Sequence, residues 1–320
     1  MIFSTLPRLV SQAFPLLRLP KTGYPGLASY RLHLLMLDFN AAFAEGMKDL
    51  GYVDGRNIQI DWRLASGKVE LLPAMAIDLV ASRPAVIVAT APVGGLAVKT
   101  ATSTIPTVVL AAHGGVSLGL YQSLAHPGGN ITGVDSWSDE LDPKRVTILK
   151  DIVPNLSRLT VLFNPNDPAA PAHHDNIRKA VTSLGLRIEP VAVNNLSDFD
   201  AVFERMGSDP PQAIIVFLDP VFTTARKRLV DFALEKKVPM IGEDQGWVKL
   251  GQLISYGATL ESIWYRGAYY VDRILKGARP ADLPVELPTV IKLTVNLKTA
   301  RLFGLELPPV ILAAADETVE

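Results

Sequence analysis

The stretch from Ile87 to Pro106 constrains the fold more than any other part of the chain. It begins inside an apolar run over residues 85–89, which predicts a buried parallel strand. A turn with Pro92 and two glycines comes next, and a helix is predicted over Leu96–Ala101 before a second strand begins at Thr107. The pattern therefore predicts a strand–helix–strand unit of a parallel α/β sheet.

The turn that follows the first of these strands is the first candidate ligand site. It lies at the carboxyl end of a strand and the amino end of a helix, where backbone N–H groups are unpaired and the helix dipole is positive. We expect Thr90, Ala91 and Pro92 to contact a ligand there, with the Thr90 hydroxyl and backbone N–H groups holding its anionic end. Turns of this composition also occur where nothing binds.

The same alternation of strands and helices continues through the chain in two successive runs. The first run ends near Val134, and the second begins after Asp135-Ser136. The predictions include a helix over Leu260–Leu275, a last strand over Thr289–Val295 and a final helix capped by Asn296. Two such runs predict an α/β fold with two doubly wound, Rossmann-like lobes, and the cleft between them is a natural ligand site.

Two local predictions concern segments close to that cleft. A short helix is expected over Leu118–Leu124. A longer helix is expected to end at Lys236, with Thr223 or Thr224 as its cap.

Polar residues recur just past the predicted strand ends, and residues from both lobes would meet in the cleft. They favour a polar small molecule with an anionic group and an ammonium group, and the ammonium would be held by Asp219 or Glu243. Each residue could instead serve as a turn or helix cap. The predicted ligand-binding set is Thr90, Ala91, Pro92, Asp135, Ser136, Asn164, Asp219, Thr223 and Glu243.

Composition and missing motifs narrow the function classes. The net charge is −1 and aromatic residues make up 7% of the chain, so nothing indicates nucleic-acid binding. The sequence has no cysteine, no G-x-G-x-x-G after the first strand, no P-loop and no G-x-S-x-G. The adjacent His173 and His174 point to different helix faces, which disfavours a metal site. We therefore predict a binding protein without metal or cofactor, and not an enzyme.

Residues 1–30 are predicted to be a degenerate export segment or a disordered extension. The stretch is mildly basic and apolar in patches, but four prolines and Arg18 interrupt the apolar run that a secretory signal requires. No segment of the sequence reaches the roughly 20 apolar residues of a membrane span.

Several segments together resemble the solute-binding proteins of ABC transporters, a family that includes tryptophan/tyrosine-type binding proteins. These segments are GYVDGRNI (51–58), ATSTIP (101–106), SLAHPGGNITG (123–133), DRILKG with ADLPV (272–285) and NLKTA (296–300). The resemblance implies a type I periplasmic-binding-protein fold with a three-crossing hinge. It implies a first lobe of residues 31–134 plus 258–284 and a second lobe of residues 135–257 plus 285–320.

The resemblance also implies a function. It indicates a monomeric receptor in the periplasm, or otherwise outside the cytoplasm, that closes on a small molecule such as an aromatic or branched amino acid. The receptor would then deliver the molecule to a membrane permease. The chain departs from the family pattern in a short loop between Leu37 and Ala41 and at Gly114–Ser117. Two alternatives stay open: a cytoplasmic α/β enzyme or ligand-sensing domain on this scaffold, and a degenerate paralogue that binds nothing.

Overall fold

The computed structural model of this chain describes residues 30–35 and 40–320. Residues 1–29 of the predicted export segment and residues 36–39, which include most of the short loop between Leu37 and Ala41, lie outside the described residues. Five parallel strands form the first sheet in the order β2-β1-β3-β4-β5. They are β1 (Tyr30–Leu35), β2 (Ile58–Arg63), β3 (Val86–Thr90), β4 (Thr107–Leu110) and β5 (Ile131–Val134), with helices α1 (Asn40–Asp49), α2 (Leu72–Ala81) and α3 (Ala91–Ala101).

The second sheet has seven strands in the order β12-β11-β10-β9-β8-β6-β7, and β10 and β11 pair antiparallel. Its strands are β6 (Arg158–Phe163), β7 (Arg187–Ala192), β8 (Ile214–Val216), β9 (Met240–Gly242), β10 (Ile254–Ala258), β11 (Ile291–Asn296) and β12 (Glu317–Val319). The helices of this part of the chain are α4 (Asp142–Ile152), α5 (Ala170–Ser183), α6 (Phe199–Ser208), α7 (Pro220–Lys236), α8 (Gln245–Leu250), α9 (Leu260–Leu275), α10 (Leu297–Phe303) and α11 (Pro309–Ala314).

Helices cover both faces of the first sheet, because successive side chains of a strand point to opposite sides. Val86 and Val88 of β3 pack in one hydrophobic cluster with residues of α1 and α9. Ile87 and Ala89 of the same strand pack in another cluster, with residues of α2 and α3. Helix α9 therefore covers the first sheet, although it follows the second sheet's strand β10 in the sequence.

Three crossings connect the two sheets, at residues 135–141, at Thr259 and near Glu286. The first and third crossings lie side by side. The Asp135 N–H donates to the Glu286 carbonyl at 2.9 Å, and the Glu286 N–H donates to the Gly133 carbonyl at 3.1 Å. This is the predicted α/β fold of two doubly wound lobes joined by a three-crossing hinge. The predicted lobe boundaries stay a prediction.

The strand order determines where ligand sites form. The first sheet and the β7-β6-β8-β9-β10 part of the second sheet have the same order, in which the third strand lies beside the first. In open α/β sheets, ligands bind at the carboxyl edge where the strand order reverses. That position falls between β1 and β3 in one sheet and between β6 and β8 in the other.

Three local predictions are wrong. Helix α3 begins at Ala91, not at Leu96, because Pro92 is tolerated in a first helical turn and Gly95 packs closely against the sheet. No helix forms over residues 118–124, since Gly119 has a φ of 69° and the segment folds as turns. Helix α7 is capped by Asp219, which accepts from the Val221 N–H at 2.6 Å, so the predicted threonine caps lie inside the helix.

The cap at Asn296 was predicted from sequence and is confirmed. Its Oδ1 accepts from the Thr299 N–H at 2.8 Å, and its Nδ2 donates to the Val248 carbonyl at 2.9 Å. We expect Asn296→Ala to lower the free energy of unfolding by about 1–2 kcal/mol, measured by urea denaturation. Lys298→Ala, on the exposed face of the same helix, is the control. Equal changes in the two variants would contradict the role of the cap.

Candidate ligand site at the carboxyl edges of the two sheets

The carboxyl edges of the two sheets face each other. The His113 ring, in the connection after β4, lies 4.9 Å from the His173 ring on α5. Gly67, after β2, lies against the first turn of α7, since a Cβ there would come within 2.8 Å of Thr224 Oγ1. The strand-end residues predicted as ligand contacts therefore lie on the junction between the sheets.

Asn164 and Asp219 meet at the point where the strand order of the second sheet reverses. Asn164 Nδ2 donates to Asp219 Oδ2 at 3.0 Å, and both side chains are buried. Burial, together with the charge of Asp167, raises the pKa of Asp219 to about 6. The backbone N–H of Thr223 donates to the Asp219 carbonyl at 2.8 Å, so three members of the predicted set lie together.

The first sheet places Thr90, Ala91 and Pro92 at its own reversal point, all of them buried. Thr90 ends β3, and Ala91 starts α3 with a φ of 59°. Ala111 after β4 and Trp137 after β5 also have positive φ, at 55° and 53°. Each such residue costs roughly 1–3 kcal/mol, and strain of this kind concentrates at ligand sites.

Asp135 and Ser136 begin the first crossing but differ in how their side chains are used. Asp135 Oδ2 accepts from the Tyr121 hydroxyl at 2.8 Å, and Oδ1 accepts from the Trp137 N–H at 2.9 Å. Burial raises the pKa of Asp135. The Ser136 hydroxyl is buried and has no hydrogen-bond partner in the part of the chain that the structure describes. Within the described residues the Ser136 hydroxyl is therefore free, whereas the Asp135 carboxylate links the first crossing to Tyr121.

Glu243 belongs to a buried charge network that sequence reasoning missed. Arg145 Nη1 donates to Asp142 Oδ1 at 2.6 Å and lies 3.9 Å from Glu243 Oε1. His173 Nδ1 lies 2.6 Å from Asp142 Oδ2. Burial acts to raise the pKa of Glu243, but the charges of Arg145 and the histidines outweigh it and lower that pKa. The adjacent histidines were the one sequence signal of this network, and they did not reveal its partners.

Buried polar atoms without a partner among the described residues occur at the carboxyl edges of both sheets. Leaving such a group unpaired costs about 1–3 kcal/mol, so a bound polar molecule would gain hydrogen bonds there. These atoms are both ring nitrogens of His113, Ser136 Oγ, Arg145 Nη2, His173 Nε2, Thr223 Oγ1 and Gln245 Oε1.

A cavity of about 850 Å³ lies beside these residues, between helices α2 and α3 and the connections that follow β6 and β7. It contains none of the nine predicted residues, although Val93 and Asn166 connect it to Pro92 and Asn164. Its walls are mainly apolar, with Glu70 as their charged side chain. The strand ends therefore carry polar side chains, and the neighbouring cavity is mainly apolar.

Two further observations concern the described residues as a whole. No helix within residues 40–320 has the length and hydrophobicity needed to cross a bilayer. Over the same residues, His, Asp and Glu side chains form no group of three that could hold a metal ion.

Comparison with known proteins identifies the family. Residues 33–319 match the family model of the ABC transporter substrate binding protein, and the chain belongs to that family. A tyrosine-binding protein of Clostridioides difficile is 24% identical over 265 residues, which cover 82% of this chain and 76% of that protein.

Solved structures show the same fold. A conserved domain protein from Vibrio cholerae is 25% identical and superposes with a TM-score of 0.84 over 92% of this chain and 100% of that one. An ABC domain from Streptococcus pneumonia in complex with L-Trp is 22% identical, with a TM-score of 0.80 over 91% of this chain and 100% of that one. The chain is thus an ABC transporter substrate-binding protein with a type I periplasmic-binding-protein fold. Proteins of this family are solute receptors that work with ABC permeases, and they are not enzymes.

Proposed function

We propose that this protein is the extracytoplasmic solute-binding component of an ABC transporter and that it binds an aromatic or branched amino acid between its two sheets. The observation that carries the proposal is the set of buried polar atoms at the carboxyl edges of both sheets that have no partner among the described residues. The relatives that bind tyrosine or carry L-Trp support an aromatic side chain. The nine strand-end residues predicted from sequence form the proposed contact set.

Asp219 is the proposed partner of the ligand's ammonium group. Its carboxylate is buried, and burial disfavours its charged form. A neighbouring ammonium would stabilise that charge, so binding would lower the raised pKa of Asp219. This coupling gives the cleft a physical preference for cationic or zwitterionic solutes over neutral ones.

Thermal-shift measurement with the standard amino acids, purines and small acids tests the proposal. A ligand that binds only the folded protein adds about 2.7 kcal/mol of stability at a hundredfold excess over its Kd. We expect an aromatic or branched amino acid to raise the melting temperature. The proposal fails if no compound in the panel does so.

Replacing Thr223 with valine should separate a ligand contact from a structural role. Removing a buried hydroxyl that has no partner among the described residues should raise the free energy of unfolding slightly. The same change should weaken ligand binding about tenfold, because a hydrogen bond to the ligand is lost. Calorimetric titration and urea denaturation measure the two effects.

Thr294→Val is the matched control, because the Thr294 hydroxyl is also buried without a partner in the described chain but lies within β11. It should change stability in the same direction and leave ligand affinity unaltered. Equal ligand affinities in the unmodified protein and the two variants would contradict a ligand contact by Thr223.

Fractionation of cells that express the full chain tests the proposed location. We expect the protein outside the cytoplasm, with processing near residue 28. Recovery of the unprocessed chain in the cytoplasm alone would contradict that location.

A further inference from the structure

One ring nitrogen of His173 is paired with a carboxylate, and the other has no partner among the described residues. Its Nδ1 lies 2.6 Å from Asp142 Oδ2, and its ring stacks on Phe217 with centroids 4.2 Å apart. Asp142 is fixed in turn by Arg145. A carboxylate beside Nδ1 keeps a proton on that nitrogen, as in other histidine–carboxylate pairs. The opposite nitrogen, Nε2, is buried and has no partner among the described residues.

His113 approaches this ring from the other sheet. It is 1% exposed, its ring is edge-on to His173 at 4.9 Å, and neither of its nitrogens has a partner in the described chain. Three imidazole nitrogens without a partner among the described residues therefore lie where the two carboxyl edges meet.

The surrounding charges favour the protonated form of His173. The charged and titratable groups that act on the two rings are Asp142 and Arg145 on α4, Glu243 after β9, and Asp135 in the first crossing. Burial disfavours the imidazolium form of His173, but the charges of Asp142 and Glu243 and the Asp142 hydrogen bond outweigh burial and raise its pKa. A protonated His173 has an N–H at Nε2 that needs an acceptor, and an anionic oxygen is the strongest one.

We propose that His173, oriented by Asp142, and His113 together bind the carboxylate of the solute, and that binding takes up a proton. This inference rests on the proposed function, because it requires a solute between the sheets. The anionic group of the ligand would then contact a positively charged imidazolium as well as the Thr90 turn that is expected from the sequence. It also defines the ligand class as solutes with a carboxylate, so the corresponding amines should bind weakly.

Titration calorimetry with L-tryptophan, in buffers of different ionisation enthalpy from about pH 5.5 to about pH 8.5, tests the inference. We expect net proton uptake on binding and an affinity that falls by up to tenfold per pH unit above the pKa of His173 in the free protein. Tryptamine, which lacks the carboxylate, should show neither effect.

Variants of the two histidines test whether these side chains are responsible for the proton uptake. His173→Gln and His113→Gln should each weaken L-tryptophan binding at least tenfold and reduce its pH dependence. His113→Gln keeps the experiment decisive if His173→Gln folds poorly, because His113 makes no hydrogen bond within the described chain that the change could break. His174→Gln, half-buried on the same helix beside Phe163, is the control and should behave as the unmodified protein.

The outcomes distinguish the inference from the proposed function. Tight, pH-independent binding that both variants retain would overturn the inference and leave the solute-binding role intact. If L-tryptophan does not bind, acetate is the probe, and histidine nitrogen NMR is the measurement. An acetate-dependent shift at His173 Nε2 supports the carboxylate site, and its absence overturns it. Failure of the whole solute panel would count against the proposed function.

Discussion

Arg145→Met should lower the free energy of unfolding by about 3–5 kcal/mol, because it leaves buried carboxylates without their cation. Arg145 is fully buried on α4. Its Nη1 donates to Asp142 and to the Ser138 carbonyl, and its Nε donates to the Tyr256 carbonyl at 2.8 Å. Methionine fills a similar volume, so the loss reports the charge and hydrogen bonds more than packing. Urea denaturation measures the change.

Arg279→Met is the matched control for Arg145. Arg279 also pairs with a carboxylate, Asp282, at 2.7 Å, but its side chain is 77% exposed. Exposed ion pairs add little to stability, so the urea midpoint should stay unchanged. Similar losses in the two variants would contradict the stabilising role assigned to the buried Arg145 network.

Asp244→Asn should stabilise the protein at high pH and not at low pH. Asp244 is buried and caps α8 by accepting from the Gly246 N–H at 2.8 Å, which asparagine can also do. Burial, with a contribution from Glu261, raises the pKa of Asp244 from 3.8 to about 6. Between these values the folded protein binds more protons than the unfolded chain, so stability falls as pH rises.

The stability gained in Asp244→Asn should depend on pH. Above about pH 7 the raised pKa of Asp244 costs up to about 3 kcal/mol, and asparagine avoids that cost because it does not ionise. The gain of Asp244→Asn should therefore be largest near pH 8 and close to zero near pH 4. Asp175→Asn, at a largely exposed position on α5, should show no such pH-dependent gain. A gain independent of pH would mean that burial of the charge is not its cause.

Much of the fold follows from local patterns in the sequence. Helix α9 has the predicted bounds, Leu260–Leu275, because an amphipathic stretch with a glycine just beyond it specifies both its face and its end. Asn164 and Asp219 were predicted to lie at strand ends because each directly follows a short apolar run, at residues 159–163 and 213–218. Helix α8, helix α11 and strand β12 were missed, because each is too short for a periodic signal.

The buried network could not be predicted in this way. Asp142 and His173 are 31 residues apart, and Arg145 Nε bonds a backbone carbonyl 111 residues away. Such contacts depend on how the helices dock on the sheet, and no spacing along the chain encodes them. His113 meets His173 only through the apposition of the two sheets. The sequence therefore predicts which edges would form the proposed site, and the tertiary structure decides which side chains are available there.

Distance measurement across the junction tests the central claim that a solute is held between the two sheets. The chain has no native cysteine, so Glu70→Cys and Asn195→Cys place spin labels on exposed positions at opposite walls of the cavity. We predict that the amino acid that raises the melting temperature also shifts the inter-label distances to shorter values, because a ligand that contacts both sheets favours their apposition. A solute that stabilises the protein and leaves those distances unchanged would contradict this account.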